Sequence, residues 1–368
     1  MRAVVFAGRE QPAKLVNTAA PEPNRGEVVV DVRASGLCGS DLQLWDGHLT
    51  TTPVPQVIGH EVAGVVALTG PGVDIPVGAR VAIHPIFHCG RCRLCQRGLT
   101  NICADPRILG LTVPGGFADR VTAPASALVP VPDTISLEAA AVATEAGATV
   151  HHAAISRGQF EPARDRVLVL GTGGLGTLAI LLLRALGAHE VWAIDPDPVA
   201  AARAESLGAQ VLPHNQSTRA IREALDGGAD LALEFAGFAD SIAQAVSSLD
   251  LGGRAVIAGV TPEPVAIRRG DSLTIGERTV LGTNASTRDD VVAILDLQLT
   301  GRLDVTRIIT DRVTLEELPD TIERLRHARG PSVRVLAEPH QRPPPSPQSA
   351  AAATSPPPHP TTRGSTLP

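Results

Sequence analysis

The middle of the chain alternates between short apolar runs typical of strands and longer runs typical of helices. Residues 166–195, RVLVLGTGGLGTLAILLLRALGAHEVWAID, read as an apolar strand, a glycine turn, a helix of about three turns and a second strand that ends in an acid. Helical runs such as FADSIAQAVSSLD separate three further strand-like runs, ADLALEFAG, GRAVIAGV and RTVLGTNAS. This alternation predicts the α/β fold class with a doubly wound parallel sheet.

The two flanking regions have different patterns. In the N-terminal region, the alternating run GEVVVDVRA and the apolar run IGHEVAGVV predict strands. Near the other end, RDDVVAILDLQLTGRL and EELPDTIERLRHARG predict helices, and SVRVLAE predicts a strand. Residues 339–368 consist mainly of Pro, Ser, Thr and Ala, so we expect a disordered tail. The length of 368 residues fits two domains with extra segments.

Composition narrows the function classes. Hydrophobic residues at 43% and charged residues at 19% are typical of a soluble globular protein. The net charge of −6, with no local basic run, argues against nucleic acid and anionic membranes as partners. The longest apolar stretch is too short to cross a membrane and carries Arg184, which indicates a cytoplasmic protein. The sequence has no tyrosine, which excludes reductases that rely on a tyrosine acid. Its single lysine, Lys14, lies in a segment predicted to be exposed, which argues against a buried Schiff-base lysine.

Four of the five cysteines fall within fifteen residues, with the spacing C-x2-C-x2-C-x7-C. One irregular loop with this spacing can turn four thiolates toward a common centre, as a closed tetrahedral zinc site requires. We therefore predict a structural zinc held by Cys89, Cys92, Cys95 and Cys103. The alternatives are incidental buried thiols, or a nucleic-acid zinc finger, which an isolated loop in a large acidic chain disfavours.

The fifth cysteine, Cys38, follows a predicted strand in ASGLCGSD, and His60 and Glu61 follow a glycine in IGHEVAGVV. Thiolate and imidazole are ligands that zinc prefers. A single Cys or His is more often a packing residue, however, and Asp41 in the same motif could be a helix cap. The spacing alone leaves both interpretations open.

The motifs CGSD and GHE and the four-cysteine loop, in that order, resemble the zinc-containing medium-chain dehydrogenases over roughly residues 1–338. This alcohol, sorbitol and threonine dehydrogenase-like family implies a GroES-like β-rich catalytic domain, residues 1–152 completed by 289–338. A Rossmann NAD-binding domain would span residues 153–288. The resemblance also implies oxidation of a secondary alcohol, polyol or related hydroxyl to the carbonyl by hydride transfer to NAD, two zinc ions per chain, and a homodimer or homotetramer.

In that family a third ligand of the catalytic zinc lies in the run that leads into the cofactor domain, here AAAVATEAGATVHHA. The resemblance makes Glu145 this third ligand beside Cys38 and His60, and Glu61 the alternate ligand. Glutamate in this position resembles the polyol branch. The competing interpretation places Glu145 at a helix end in solvent.

The resemblance also assigns catalytic roles to three other side chains. Asp41 would orient the His60 imidazole, Ser40 would be the first hydroxyl of a proton relay, and Thr149 would lie near the nicotinamide. Many relatives continue the relay with a histidine, where this chain has Gln43, which cannot titrate. His48 is displaced from that position by five residues, so we expect it in a surface loop.

The glycine turn has the pattern G-x-G-x-x-G between a predicted strand and helix, which indicates a dinucleotide phosphate site at the helix N-terminus; its residues are Gly171, Gly173, Gly174, Leu175 and Gly176. Asp195, nineteen residues after Gly176, should accept hydrogen bonds from a ribose and favour NAD over NADP. It could instead be a turn acid before Pro196. By resemblance, the loops after the next strands contact ribose or nicotinamide at Ala236, Gly259, Val260 and Thr283.

Two further functions stay open. One is a non-catalytic zinc and nucleotide binder, a sensor or partner protein on the same fold. The other is a zinc-free quinone or enoyl reductase, which would be expected to lack the two cysteine motifs. The substrate depends on loops near Leu44, Trp45, His48 and Ile86, and sorbitol-like polyols, threonine-like amino alcohols and secondary alcohols all fit the motifs.

Overall fold

The computed structural model describes residues 1–47, 52–267, 271–327 and 330–340. The predictions for His48 and for residues 341–368 of the tail lie outside the described residues. The N-terminal region is rich in strands and holds the first four helices in short segments. Its elements are β1 (Arg2–Phe6), β2 (Lys14–Asn17), β3 (Glu27–Leu37), α1 (Gly39–Asp46), β4 (Gln56–Val57), β5 (Glu61–Thr69), β6 (Arg80–Ile83), β7 (Ile86–Phe87), α2 (Arg93–Gln96), β8 (Arg107–Ile108), β9 (Arg120–Pro124), β10 (Leu128–Pro130), α3 (Leu137–Val142) and α4 (Ala148–His151).

The helices α3 and α4 belong to one continuous helical rod. Wide π-helical turns at Ala143–Gly147 and His152–Arg157 extend it through residue 157. Ser136 begins the rod by accepting a hydrogen bond from the backbone N–H of Ala139, as serine does at helix N-termini. A π turn rotates the following side chains relative to a regular helix and is often found at functional sites. The first wide turn contains Glu145.

The central region forms one parallel sheet with helices between its strands. Its elements are β11 (Arg166–Leu170), α5 (Gly174–Ala185), β12 (Glu190–Ile194), α6 (Pro198–Ser206), β13 (Gln210–Leu212), α7 (Thr218–Ala224), β14 (Ala229–Glu234), α8 (Ala239–Ser247), β15 (Leu249–Ile257), α9 (Asp271–Ile275) and β16 (Thr279–Gly282). The strand order is β13-β12-β11-β14-β15-β16, and every pairing is parallel. The predicted doubly wound parallel sheet is confirmed.

The last elements return to the N-terminal region. They are α10 (Arg288–Leu299), β17 (Ile309–Val313), α11 (Leu318–His327) and β18 (Arg334–Ala337). Strand β18 pairs antiparallel with β3 and parallel with β17. It lies inside a seven-stranded sheet whose other members are β3, β5, β6, β9, β10 and β17. Strand β18 thus completes a sheet that begins more than 300 residues earlier with β3.

The largest apolar core lies where the two regions meet. It joins the helical rod, α5 and α10 to the parallel sheet, with fully buried members such as Val142, Leu178 and Ile294. Two smaller cores lie on the β-rich region. Burial of these side chains fixes the rod between the two sheets. It stabilises the fold by about 25 cal/mol per Å² of apolar surface removed from water. Among the described residues, no helix combines the length and apolar character needed to cross a membrane.

Candidate active site

Four side chains with metal-binding groups converge between the β-rich region and the helical rod. Cys38 follows the last residue of β3, His60 directly precedes β5, and Glu61 is the first residue of β5. Because β3 and β5 run antiparallel with Gly36 opposite Glu61, the end of one strand lies beside the beginning of the other. Glu145 approaches from the first wide turn of the rod. The ligand atoms of these four residues all lie within 4.8 Å of one another.

This donor set fits a zinc ion. Sγ of Cys38 lies 3.7 Å from Oε2 of Glu145, close to the separation of about 3.5 Å expected for sulfur and oxygen ligands of one tetrahedral zinc. Oε2 of Glu61 is buried without a hydrogen-bond partner among the described residues. A buried carboxylate oxygen of this kind is costly unless a cation or donor satisfies it. Thiolate, imidazole and carboxylate are all ligands that zinc accepts.

Asp41 controls the orientation of His60. Its Oδ1 lies 3.1 Å from Nδ1 of His60, and its Oδ2 accepts the backbone N–H of Cys38 at 2.9 Å. The carboxylate can only accept, so Nδ1 carries the proton and the lone pair of Nε2 points away from Asp41, free for a metal. Asp41 is fully buried at the third position of α1, and it also caps that helix. The helix-cap interpretation and the histidine-orienting interpretation therefore describe the same contacts.

The surroundings shift the protonation of these groups. Burial lowers the pKa of His60, but the Asp41 carboxylate and the Cys38 sulfur outweigh burial and raise it well above the ordinary value. Burial also raises the pKa of Glu61 well above the ordinary carboxyl value, despite the opposing charge of Arg334. Burial and Glu145 push the pKa of the Cys38 thiol up, but hydrogen bonding with His60 and the charge of Arg334 outweigh them and lower it. Protons therefore compete with a cation for His60 and Glu61.

Arg334 is the site residue that the sequence reasoning missed. Its guanidinium is 3% exposed and donates from Nη1 to Oε1 of Glu61 at 2.8 Å and to the carbonyl of Leu37 at 3.3 Å. The available signal was a charged residue in the middle of the apolar run SVRVLAE, at a position that a buried strand does not normally give to arginine. The positive charge of the guanidinium offsets the negative charges of Glu61, Glu145 and the Cys38 sulfur.

The other predicted catalytic residues lie nearby. Oγ1 of Thr149 donates to Oε1 of Glu145 at 3.0 Å, which leaves Oε2 of that carboxylate toward Cys38. Oγ of Ser40 lies 3.3 Å from Nε2 of His60. Gln43 lies one turn further along α1 and is only partly buried.

The four-cysteine loop forms a separate cluster. Its four sulfur atoms lie within 4.8 Å of one another. None of the five cysteines of the chain forms a disulfide. Backbone N–H groups of Ala104 and Cys95 lower the pKa of Cys92 to about 6. Burial and the neighbouring thiols raise the pKa of Cys95 to about 12, so the four thiolates need a cation to coexist at neutral pH. The residues fit a closed zinc site.

The glycine turn lines a cavity of about 630 Å³ at the carboxyl end of the parallel sheet, where doubly wound folds bind nucleotides. Gly171, Gly173, Asp195 and Ala236 all face this cavity. Gly171 has a φ of 82°, and a Cβ there would come within 2.8 Å of Ala236. A Cβ on Gly176 would overlap the carbonyl oxygen of Gly171. Only glycine allows helix α5 to begin this close to β11.

The remaining predicted cofactor residues lie around this cavity without lining it. Gly174 and Leu175 are in the first turn of α5. Gly259 and Val260 follow β15, and Gly259 packs against the loop after β14 at Gly237. Thr283 follows β16 and donates its backbone N–H to the carbonyl of Ile257 at 3.0 Å. All of them are at the carboxyl edge of the sheet.

Comparison with known proteins agrees with this geometry. The alcohol dehydrogenase GroES-like domain family matches residues 24–133, and the zinc-binding dehydrogenase family matches residues 174–299. L-threonine 3-dehydrogenase of Pyrococcus furiosus is 30% identical over 321 residues, which cover 85% of this chain and 91% of that protein. Sorbitol dehydrogenase of Bacillus subtilis is 29% identical over 352 residues, covering 93% and 98%.

Among solved structures, an alcohol dehydrogenase from E. coli CFT073 in complex with NADH superposes with a TM-score of 0.85 at 25% identity, covering 92% of this chain and 99% of that one. These findings confirm the resemblance inferred from the CGSD, GHE and four-cysteine motifs. They also confirm the predicted combination of a GroES-like and a Rossmann-like unit. The chain therefore belongs to the zinc-binding dehydrogenase family and is a zinc-type alcohol or polyol dehydrogenase that uses a nicotinamide dinucleotide.

Proposed function

We propose that the chain oxidises a secondary alcohol, a polyol or a related hydroxyl compound to the carbonyl, with hydride transfer to NAD. The observation that carries this proposal is the contact chain from the donor cluster to the dinucleotide turn. Arg334 bonds Glu61 at 2.8 Å, and a Cβ on Gly174 would lie 3.0 Å from its Nη2. One buried arginine thus lies beside both the metal donors and the first turn of α5, where the phosphates would bind. Alcohol oxidation and dinucleotide reduction would therefore occur at one site.

We assign one domain of the chain to the alcohol and the other to the dinucleotide. We assign residues 1–152 and 289–338 to the catalytic domain, and residues 153–288 to the dinucleotide-binding domain. The pairing of β18 with β3 supports the split catalytic domain. The parallel sheet ends with β16 at Gly282, and helix α10 begins at Arg288. This supports the second boundary near residue 288. Residues from 339 onward form the tail.

Cys38, His60 and Glu145 would hold the catalytic zinc, with Glu61 as the alternate ligand. Bound there, zinc would supply Lewis-acid polarisation of the substrate oxygen. Asp41 holds His60 in the tautomer that exposes Nε2. The hydroxyl of Thr149 fixes one oxygen of Glu145 and leaves the other to point at the cluster.

The proton released from the substrate hydroxyl needs acceptors made of side chains or water. Ser40 supplies the first hydroxyl, since its Oγ lies within 3.3 Å of Nε2 of His60 and therefore at the edge of the donor cluster. Gln43, on the same face of α1, can donate and accept hydrogen bonds but cannot take up a proton. We infer that water carries the proton beyond Ser40, or that Glu61 accepts it.

Asp195 supports NAD as the preferred dinucleotide. Its Oδ2 accepts the backbone N–H of Thr172 at 2.6 Å, and its Oδ1 accepts the N–H of Asp197 at 2.9 Å. The carboxylate is therefore fixed at the rim of the cavity, where a 2′-phosphate would meet its negative charge. Arg203 is the arginine nearest in sequence on α6, but its guanidinium already donates to Thr172 and Thr177.

A second copy of this chain is the partner that we propose. Strand β16 is the last in the order of the parallel sheet, so one side of its backbone is free among the described residues. Exposed apolar side chains surround it, with Ile275 at 79%, Leu251 at 71% and Val280 at 41% exposure. Pairing two such edges would bury these side chains and remove both edges, which favours a homodimer or a homotetramer. Five free cysteines suit a reducing compartment, in agreement with a cytoplasmic location.

A substrate panel tests the proposal. The purified protein, with two zinc ions per chain by metal analysis, is mixed with NAD and with polyols, L-threonine and simple secondary alcohols, and NADH formation is followed at about 340 nm. We expect turnover with at least one class and little with NADP. Cys38→Ser should abolish turnover and lower the zinc content to one, while the protein keeps its fold. Absence of turnover with both zinc sites filled would favour the non-catalytic zinc and nucleotide binder.

Metal analysis separates the remaining alternative. A zinc-free quinone or enoyl reductase would contain less than one zinc per chain and would reduce quinones or enones with NADPH. The two donor clusters oppose that function, since both have a composition that suits zinc.

A further inference from the structure

A four-residue loop, residues 283–286, connects β16 to the start of α10. The strands of the parallel sheet all end at the same edge, and the dinucleotide cavity lies at that edge. The loop therefore lies at the same edge of the sheet as the dinucleotide cavity, although its residues do not line that cavity. The inference below rests on the proposed function, since it concerns how the chain holds its nicotinamide dinucleotide.

Two side chains from the β-rich region form hydrogen bonds with the backbone of this loop. Nδ2 of Asn101 donates to the carbonyl of Asn284 at 2.8 Å. Nε2 of His84 lies 2.9 Å from the carbonyl of Ser286. A carbonyl can only accept, so Nε2 of His84 carries a proton. Both side chains are nearly fully buried, with 7% and 2% exposure.

The amide of Asn101 is itself fixed in one orientation. Its Nδ2 also lies 3.3 Å from Nε2 of His152, whose Nδ1 lies 2.8 Å from Oδ2 of Asp290. The carboxylate of Asp290 requires a proton on Nδ1 of His152, so Nε2 accepts the second amide hydrogen of Asn101. The reversed amide would place its oxygen against the carbonyl of Asn284. The side chain of Asn101 thus has both hydrogens committed.

Between the hydrogen-bonded carbonyls of Asn284 and Ser286, the backbone adopts a rarely populated conformation. Ala285 has a φ of 45°, in the left-handed region that alanine seldom occupies. Such a conformation persists only where the surroundings hold it. Oγ1 of Thr283 and Oγ of Ser286 are buried without hydrogen-bond partners among the described residues. The loop is held in a fixed shape with one unsatisfied hydroxyl at each end.

We propose that Asn101 and His84 are positioning residues that hold residues 283–286 against the nicotinamide half of the bound dinucleotide. Asn101 lies in the 3₁₀ turn Thr100–Ile102, directly before Cys103 of the four-cysteine cluster. That cluster therefore has a second role besides stabilising its own loop. It anchors the side chain that shapes the far edge of the dinucleotide cleft.

Binding of whole and truncated dinucleotide tests the proposal. NADH contacts the whole cleft, whereas ADP-ribose lacks the nicotinamide ring. Asn101→Asp replaces the NH₂ group, which donates both hydrogens, with an acceptor oxygen of similar size, and His84→Leu removes the donor to Ser286. Each change should weaken NADH binding about tenfold, as expected for one or two lost buried hydrogen bonds. The Kd of ADP-ribose, measured by calorimetry, should change by less than about twofold.

His84→Gln is the matched control, because its side-chain amide can donate to Ser286 as Nε2 does, and it should restore NADH binding close to that of the unmodified chain. Metal analysis of each variant should still give two zinc ions per chain. An unchanged Kd for NADH in the Asn101→Asp and His84→Leu variants, or an equal loss for ADP-ribose, would overturn the proposal. If Asn101→Asp loses zinc, the comparison of His84→Leu with His84→Gln decides. Failure of the unmodified chain to bind either ligand would instead reject the dinucleotide function.

Discussion

Replacement of Asp41 by asparagine should selectively weaken the catalytic zinc site. The carboxylate of Asp41 accepts one hydrogen bond on each oxygen, from the backbone N–H of Cys38 at 2.9 Å and from Nδ1 of His60 at 3.1 Å. Asparagine has one oxygen and one NH₂ group, so one of these N–H groups would face a donor in place of an acceptor. Either the cap of α1 or the orientation of the His60 imidazole must be lost.

The expected magnitude follows from burial and charge. A hydrogen bond to a charged partner contributes about 1.5–3 kcal/mol, and Asp41 is fully buried. Loss of one such bond from a metal-ligating histidine corresponds to about a 10- to 150-fold weaker zinc affinity. This range agrees with the losses of about 10- to 100-fold seen when the groups behind metal ligands are replaced. The four-cysteine site contains no contact to Asp41 and should keep its affinity.

Competition with a chromophoric zinc chelator provides the assay, since it resolves two zinc ions of different affinity. Asp290→Asn is the matched control, because Asp290 is also a buried aspartate at the third position of a helix and also bonds histidine side chains. Those histidines, His151 and His152, are not in either donor cluster. An Asp41→Asn protein that releases its first zinc at the same chelator concentration as Asp290→Asn would show that Asp41 does not set the zinc affinity.

Three further predictions concern the carboxylates. Glu145→Gln should lower the zinc content from two per chain to near one, whereas Glu61→Gln should keep both ions; equal loss in both variants, by metal analysis, would make Glu61 a resting ligand. Asp195→Ala should shift the ratio of kcat/KM for NAD over NADP toward NADP by about tenfold, and an unchanged ratio would contradict the assigned role. Burial raises the pKa of Asp290, but hydrogen bonds from His151 and His152 outweigh burial and hold it well below the ordinary value. Its stabilising effect is therefore complete above about pH 4 and is lost as the pH falls further, so the gap in urea midpoint between the unmodified chain and Asp290→Asn should close at low pH; a constant gap would contradict this.

The parts of the fold that local patterns encode were predictable. Apolar periodicity and the glycine turn indicate β11, α5 and β12 in order, because each element depends on residues close in sequence. Cys38 and His60 were identifiable because both occur in short motifs. Their meeting depends on the pairing of β3 with β5, which the sequence does not display.

Other site residues come from distant segments and carry no local motif. Arg334 reaches Glu61 across 273 positions of the chain. Asn101, His152 and Asp290 form one network from three segments, and each of them alone reads as an ordinary polar residue. The wide turn around Glu145 was also not predicted from its residues, since π turns are rare among helices. A single sequence does not show which distant residues come into contact.

The insertion of β18 between β3 and β17 has a consequence for biosynthesis. Domains tend to fold as the ribosome releases them, N-terminal parts first. Here the six parallel strands are complete by Gly282, while the first sheet waits for residues 334–337. Arg334, which forms the ion pair with Glu61, is made only with β18. The newly made chain therefore exposes an acidic, partly formed donor cluster until residues 334–337 have been made, and the cluster gains its internal counter-charge and its closing strand in the same step.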